Sequence, residues 1–120
     1  MKINIIGKFT VAVALYFCVA SVAFANSNNP AWCLGYSSQT AKMFQDKEAM
    51  ETFDSIRPNV EAKFKKSESN SSAFSSLFLE GKTKATQDLT ESAKGSTTAG
   101  TRNKNMSDTC VKTLTNYLTR

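Results

Sequence analysis

The sequence predicts a small all-α protein: a four-helix bundle in up-down-up-down order, stapled by one disulfide and preceded by a cleaved signal peptide. Three observations carry that expectation. The apolar residues are crowded at one end, with 19 of them in the first 25 positions and the remaining 95 positions about one-third apolar. After Ala25 only Ile56, Val60 and Val111 are β-branched aliphatics, and no stretch alternates long enough for a strand. After Ala25 two cysteines remain, Cys33 and Cys110, one near each end of the rest of the chain.

The first 25 residues are a different object from the rest. Lys2 and Lys8 give a basic start, Val11 to Ala20 reads VAVALYFCVA without a break, and Ala23-Phe24-Ala25 offers the small residues a signal peptidase accepts. Cleavage is expected after Ala25, leaving one small domain over 26–120. The apolar run is short for a membrane span of about 20 residues. Tyr16 and Phe17 precede Cys18 where a lipoprotein would have small residues, so lipidation is rejected. The remainder carries a formal +3. An exported location, periplasmic or extracellular, follows.

In an oxidising compartment Cys33 and Cys110 most simply pair with each other. Closing a loop of 77 residues stabilises by roughly 4.5 kcal/mol in the chain-entropy account. The domain needs it. Leu, Ile, Val and Phe make up only about 15 % of residues 26–120, a composition that favours a thin core.

Asn29-Pro30 opens the first helix, a side chain that caps and then a proline at the first helical position. It should run to about Gln45, with Cys33, Tyr36, Thr40 and Phe44 on one face; Gly35 weakens it slightly. Asp46 caps a second helix from Lys47 to about Lys66, with Glu48 in its first turn. Met50, Phe53, Ile56, Val60 and Phe64 form its apolar side, and Pro58 implies a kink or a division into two shorter helices. The SESNSS stretch from Ser67 to Ser72 is a turn. A third helix runs from about Ser72 to Lys94 along Phe74, Leu77, Phe78, Ala85, Leu89 and Ala93, with Gly81 interrupting the stripe and Gly95 as its cap. Residues 95–107 are polar and small, and a mobile segment is expected there; a frayed helix from Ala99 is the alternative. Ser107-Asp108 opens the last helix, with Cys110, Val111, Leu114, Tyr117 and Leu118 on its apolar face.

The absences narrow the function. With no histidine, there is no Ser-His-Asp or Cys-His centre and no histidine haem ligand. No CxxC pair and no glycine-rich phosphate loop occurs. Two lone cysteines fall short of a structural zinc site. Neither a cofactor nor a metal is expected. Asp46, Glu48, Glu51 and Asp54 cluster on the second helix, but among lysines and polar residues they read as a solvated face. No catalytic residue is assigned and the protein is expected not to be an enzyme.

The expected role is a non-catalytic protein-binding module, inhibitor- or immunity-like, whose partner is another exported or envelope protein and not a nucleic acid. The candidate interaction surface is Trp32 and Tyr36, one turn apart; Phe78 and Leu79 in the densest apolar patch; and Lys63, Lys65 and Lys66, the first of three basic clusters, followed by Lys82 with Lys84 and Arg102 with Lys104. Each has a plainer reading: Trp32 and Tyr36 as packing around the disulfide, Leu79 as a wider core, the lysines as a solvated surface. A holdase chaperone that opens under acid stress is the alternative role, since a thin core and ten carboxylates suit charge-driven opening at low pH. Contact with the membrane surface, or a small ligand among the aromatics, is a lesser one.

Overall fold

The structure, a computed structural model, describes residues 26–67 and 72–120. The leader reading therefore lies outside the described residues. Within them the protein is all-helical, with α1 (Pro30–Met43), α2 (Lys47–Ser67), α3 (Ser72–Ala93) and α4 (Thr97–Thr119), and the Cys33–Cys110 disulfide is formed with a Cα–Cα distance of 4.9 Å.

The four helices are not equivalent. α1 packs against all three others, and most extensively against α3, whereas α2 meets α3 and α4 only sparsely. The first two turns of α1 are buried on every side, from Ala31 through Ser37. An amphipathic stripe is therefore the wrong description of this helix: a helix surrounded by neighbours carries core residues all round. The outer end differs again. Met43 and Phe44 are exposed, Phe44 by 64 %, so Phe44 does not continue the Cys33–Tyr36 face as expected.

Two glycines set the α1–α3 contact. A methyl group on Gly35 would overlap the Phe78 carbonyl oxygen and stand 2.8 Å from its carbon. One on Gly81 would overlap the Trp32 carbonyl oxygen and stand 2.9 Å from the Tyr36 amide nitrogen. Each helix thus rests on the other's bare backbone. Gly81 is a point of close approach rather than an interruption of the stripe, and the buried line on α3 runs through Phe74, Gly81, Ala85 and Asp88.

The turns are built from capping chemistry. The Asn29 side chain accepts from the amides of Ala31 and Trp32, and Pro30 follows at the first helical position. α1 ends in a Schellman arrangement: the Gln45 amide donates to Lys42 and the Asp46 amide to Ala41, with Gln45 at φ 56°. Asp46 at once caps α2 through the Ala49 amide. The α3–α4 turn repeats the device. The Gly95 amide donates to Ser92 and the Ser96 amide to Glu91, Gly95 has φ 106°, and Ser96 caps α4 through the Ala99 amide.

α2 is one helix through Pro58. Pro58 is exposed, and so is Asp54, whose carbonyl it leaves without an intrahelical donor. α4 is also one helix, and residues 97–106, expected to be mobile, form its first three turns. Ala99, Asn103, Met106, Cys110, Leu114 and Tyr117 recur at helical steps and are all buried. The last helix therefore opens at Ser96 and not at Ser107-Asp108, close to the alternative start at Ala99, and the stripe is broken in the sequence by its one polar member, Asn103.

Candidate functional site

The seven residues expected to share an interaction surface are dispersed. Trp32 and Tyr36 stack at 5.1 Å with 19° between their planes, but both are fully buried. They are core around the disulfide and offer no aromatic platform. Phe78 is half-buried, stacked 6.1 Å from Phe74, while Leu79 beside it is 62 % exposed. Lys63 is occupied: its ammonium donates to the carbonyls of Tyr117 and Arg120 and closes the C-terminal end of α4. Lys65 lies 3.9 Å from Glu61 one turn away, and Lys66 is exposed.

A buried polar cluster was not legible in the sequence. Tyr36 of α1 donates to Asp88 of α3 at 2.7 Å, and Asn103 of α4 donates to the Tyr36 hydroxyl at 3.1 Å and to Thr40 at 3.2 Å. Arg102 reaches Asp88 at 3.0 Å and Glu91 at 3.2 Å, and Lys84 approaches Asp88 to 3.5 Å. The Asp88 side chain is fully buried. Burial first, then the hydrogen bond to Asp88 and its negative charge, hold the Tyr36 hydroxyl far above the usual phenol range. Both carboxylate oxygens are engaged, so Asp88 is a joint between helices and not a base poised for a substrate. Asp88 lies seven residues after Gly81 on the buried line of α3, a spacing that could have flagged it as inward-facing.

An opening on the surface lies between α2 and α4, where the two helices barely touch. A groove of about 440 Å³ is lined by Phe53 and Ile56 from α2, by Val111, Leu114 and Leu118 from α4, and by small residues between them. Val111 is half-exposed there. The charged side chains in the lining are Asp46 and Glu48, both acidic. A second depression, of about 480 Å³, runs along the first half of α4 and is lined mainly by threonines, with Asn105 and Met106.

Glu51 and Asp54 of the second-helix acidic cluster are exposed. Among the described residues no three His, Cys, Asp or Glu side chains gather as a metal site would need, and no helix is long and apolar enough to cross a membrane. Compared with known protein families, with curated proteins and with solved structures, the chain matches none of them.

Proposed function

We propose that the protein is an exported, non-catalytic protein-binding module, inhibitor- or immunity-like, that holds an amphipathic helix of its partner in the α2–α4 groove. The groove carries this reading. Val111, Leu114 and Leu118 follow one another at helical steps along one wall, and Phe53 and Ile56 stand on the other. Such a trough accepts the apolar face of a helix. Its charged rim is wholly acidic, through Asp46 and Glu48, so the complementary helix carries lysine or arginine at that end.

The disulfide supports the same reading. Cys110 immediately precedes Val111 and ties α4 to α1, so one groove wall is ordered before the partner arrives, which lowers the cost of binding. The exposure of Glu51 and Asp54 and the full engagement of Asp88 favour a binder over a carboxylate enzyme. An up-down-up-down order belongs to this proposal. It is supported by short turns, by Lys63 near the end of α2 meeting the end of α4, and by Asn103 and Cys110 meeting successively earlier parts of α1.

The test places a photoreactive residue at position 111 of the oxidised, exported protein and irradiates it in its native envelope. A saturable crosslink to an amphipathic helix with basic residues, weakened by Glu48→Lys, is expected. A partner captured equally well by that charge-reversed variant would overturn the groove assignment. Capture of many unfolded chains, and only near pH 3, would replace it with the holdase role.

A further inference from the structure

The tertiary structure regroups the cations. The pairs adjacent in sequence are split: Lys84 is held by Asp88, Arg102 by Asp88 and Glu91, and Lys63 by the end of α4. Three cations that lie far apart in sequence are instead brought to one cleft. Lys42 comes from the last turn of α1, Arg57 from the middle of α2 and Lys82 from α3. Among the described residues none of the three forms an ion pair.

Phe78 organises this cleft. The Arg57 guanidinium lies 4.4 Å from the ring centroid and the Lys82 ammonium 5.7 Å from the same ring. A ring that attracts both cationic ends holds two long side chains at one place before any anion is present. The cleft is about 140 Å³, with Ser38 and Gln39 as further hydrogen-bond donors and Asp54 as its one acidic side chain. Three like charges against one opposite leave the cleft with a net +2. A bound anion would relieve that repulsion, and the guanidinium fork suits oxygen pairs on a tetrahedral anion.

We propose that Lys42, Arg57 and Lys82, which line one cleft with Phe78, form a binding site for a phosphoryl group. Arg57 supplies paired donors, and Lys42 and Lys82 supply compact charges from the other two helices. Ser38 completes the set with a hydroxyl. The site faces out between α1, α2 and α3, apart from the α2–α4 groove, and does not depend on what occupies that groove. The phosphoryl group is either free, as inorganic phosphate or a small phosphomonoester, or borne by a lipid headgroup.

The test titrates the oxidised, exported protein with inorganic phosphate at constant ionic strength and follows the Arg57 and Lys82 side-chain resonances. Saturable shifts are expected, with affinity about tenfold weaker for each of Arg57→Gln and Lys82→Gln. Lys65→Gln with Lys66→Gln serves as the matched control and should leave binding intact. Sedimentation with phosphatidylglycerol vesicles, against phosphatidylcholine vesicles of equal size, separates the sources. Vesicle binding lost in Arg57→Gln assigns the site to a lipid phosphate, and phosphate binding without vesicle binding assigns it to a free one. Weakening by the Lys65/Lys66 control equal to that by the cleft variants would overturn the proposal, as would no response to either probe. Far-UV circular dichroism confirms that the variants, all at exposed or part-exposed side chains, remain folded.

Discussion

Gly81 of α3 sits directly on the Trp32 carbonyl of α1, so close that any side chain at this position must push the two helices apart. Gly35 does the same on the Phe78 carbonyl from the opposite helix. On helix propensity alone, alanine would be better at both positions by about 1 kcal/mol. Here the obstacle is backbone, which cannot rotate away as a side chain can, so sterics should win. Gly35→Ala and Gly81→Ala are each expected to destabilise by about 1–3 kcal/mol or more. Urea unfolding checks this, and a stabilised variant would show that the helices are not in such close contact.

Tyr36 and Asp88 should behave as one unit. Tyr36→Phe leaves Asp88 its cationic partners but removes its 2.7 Å donor, a loss of about 1–3 kcal/mol. Asp88→Ala strips Tyr36, Arg102 and Lys84 of a shared acceptor and should cost about 3–5 kcal/mol. Denaturant midpoints of the two single variants and the double variant measure the coupling, and strictly additive losses would contradict a shared network.

The same phenol makes stability depend on alkaline pH. Its native pKa is raised, while in the unfolded chain it lies near 10. The contribution is thus complete below about pH 10 and is lost as pH rises above it, because the unfolded chain releases a proton that the native one retains. The denaturant midpoint should fall across that range, and Tyr36→Phe should flatten the fall. An equally steep fall in the variant would place the effect elsewhere.

The two short turns make opposite predictions. Gln45 holds a left-handed φ of 56° without being glycine, a conformation that costs a side-chain-bearing residue about 1–2 kcal/mol. Gln45→Gly should therefore stabilise by about 1 kcal/mol. Gly95, at φ 106°, should lose a similar amount on replacement by alanine. Thermal unfolding of the pair checks both signs together.

The disulfide should matter as much as any core residue. Cys33 and Cys110 are fully buried and close a loop of 77 residues. Reduction, or Cys110→Ala, should remove roughly 4.5 kcal/mol, against a total of about 5–15 kcal/mol for a domain. A reduced protein with an unchanged denaturant midpoint would refute this.

The parts of the fold that were legible share a feature: their signals are local. Asn29-Pro30, Asp46 and Gly95 announce helix ends because a cap acts within a few residues. The Phe53–Phe64 face announces α2 because its apolar residues recur at helical steps. Over residues 97–106 a helix is only the second reading of the sequence because Asn103 stands where an apolar residue would complete the pattern. It is buried only because Tyr36 and Thr40 wait across the interface. The same holds for the candidate sites. Trp32 and Tyr36 carry the chemistry of a surface platform, but whether such residues face water depends on what packs over them.

The sequence by itself determined four helical segments after Ala25, the caps at Asn29, Asp46 and Gly95 and the pairing of Cys33 with Cys110, since periodicity, capping and thiol count act along the chain. Tertiary structure alone decided that α1 would be central, that Gly35 and Gly81 would face carbonyls, that Asp88 would be buried, and that Lys42, Arg57 and Lys82 would share a cleft. These features come from the crossing of distant helices, and a crossing depends on which backbones can approach each other, a property that no short stretch of residues carries.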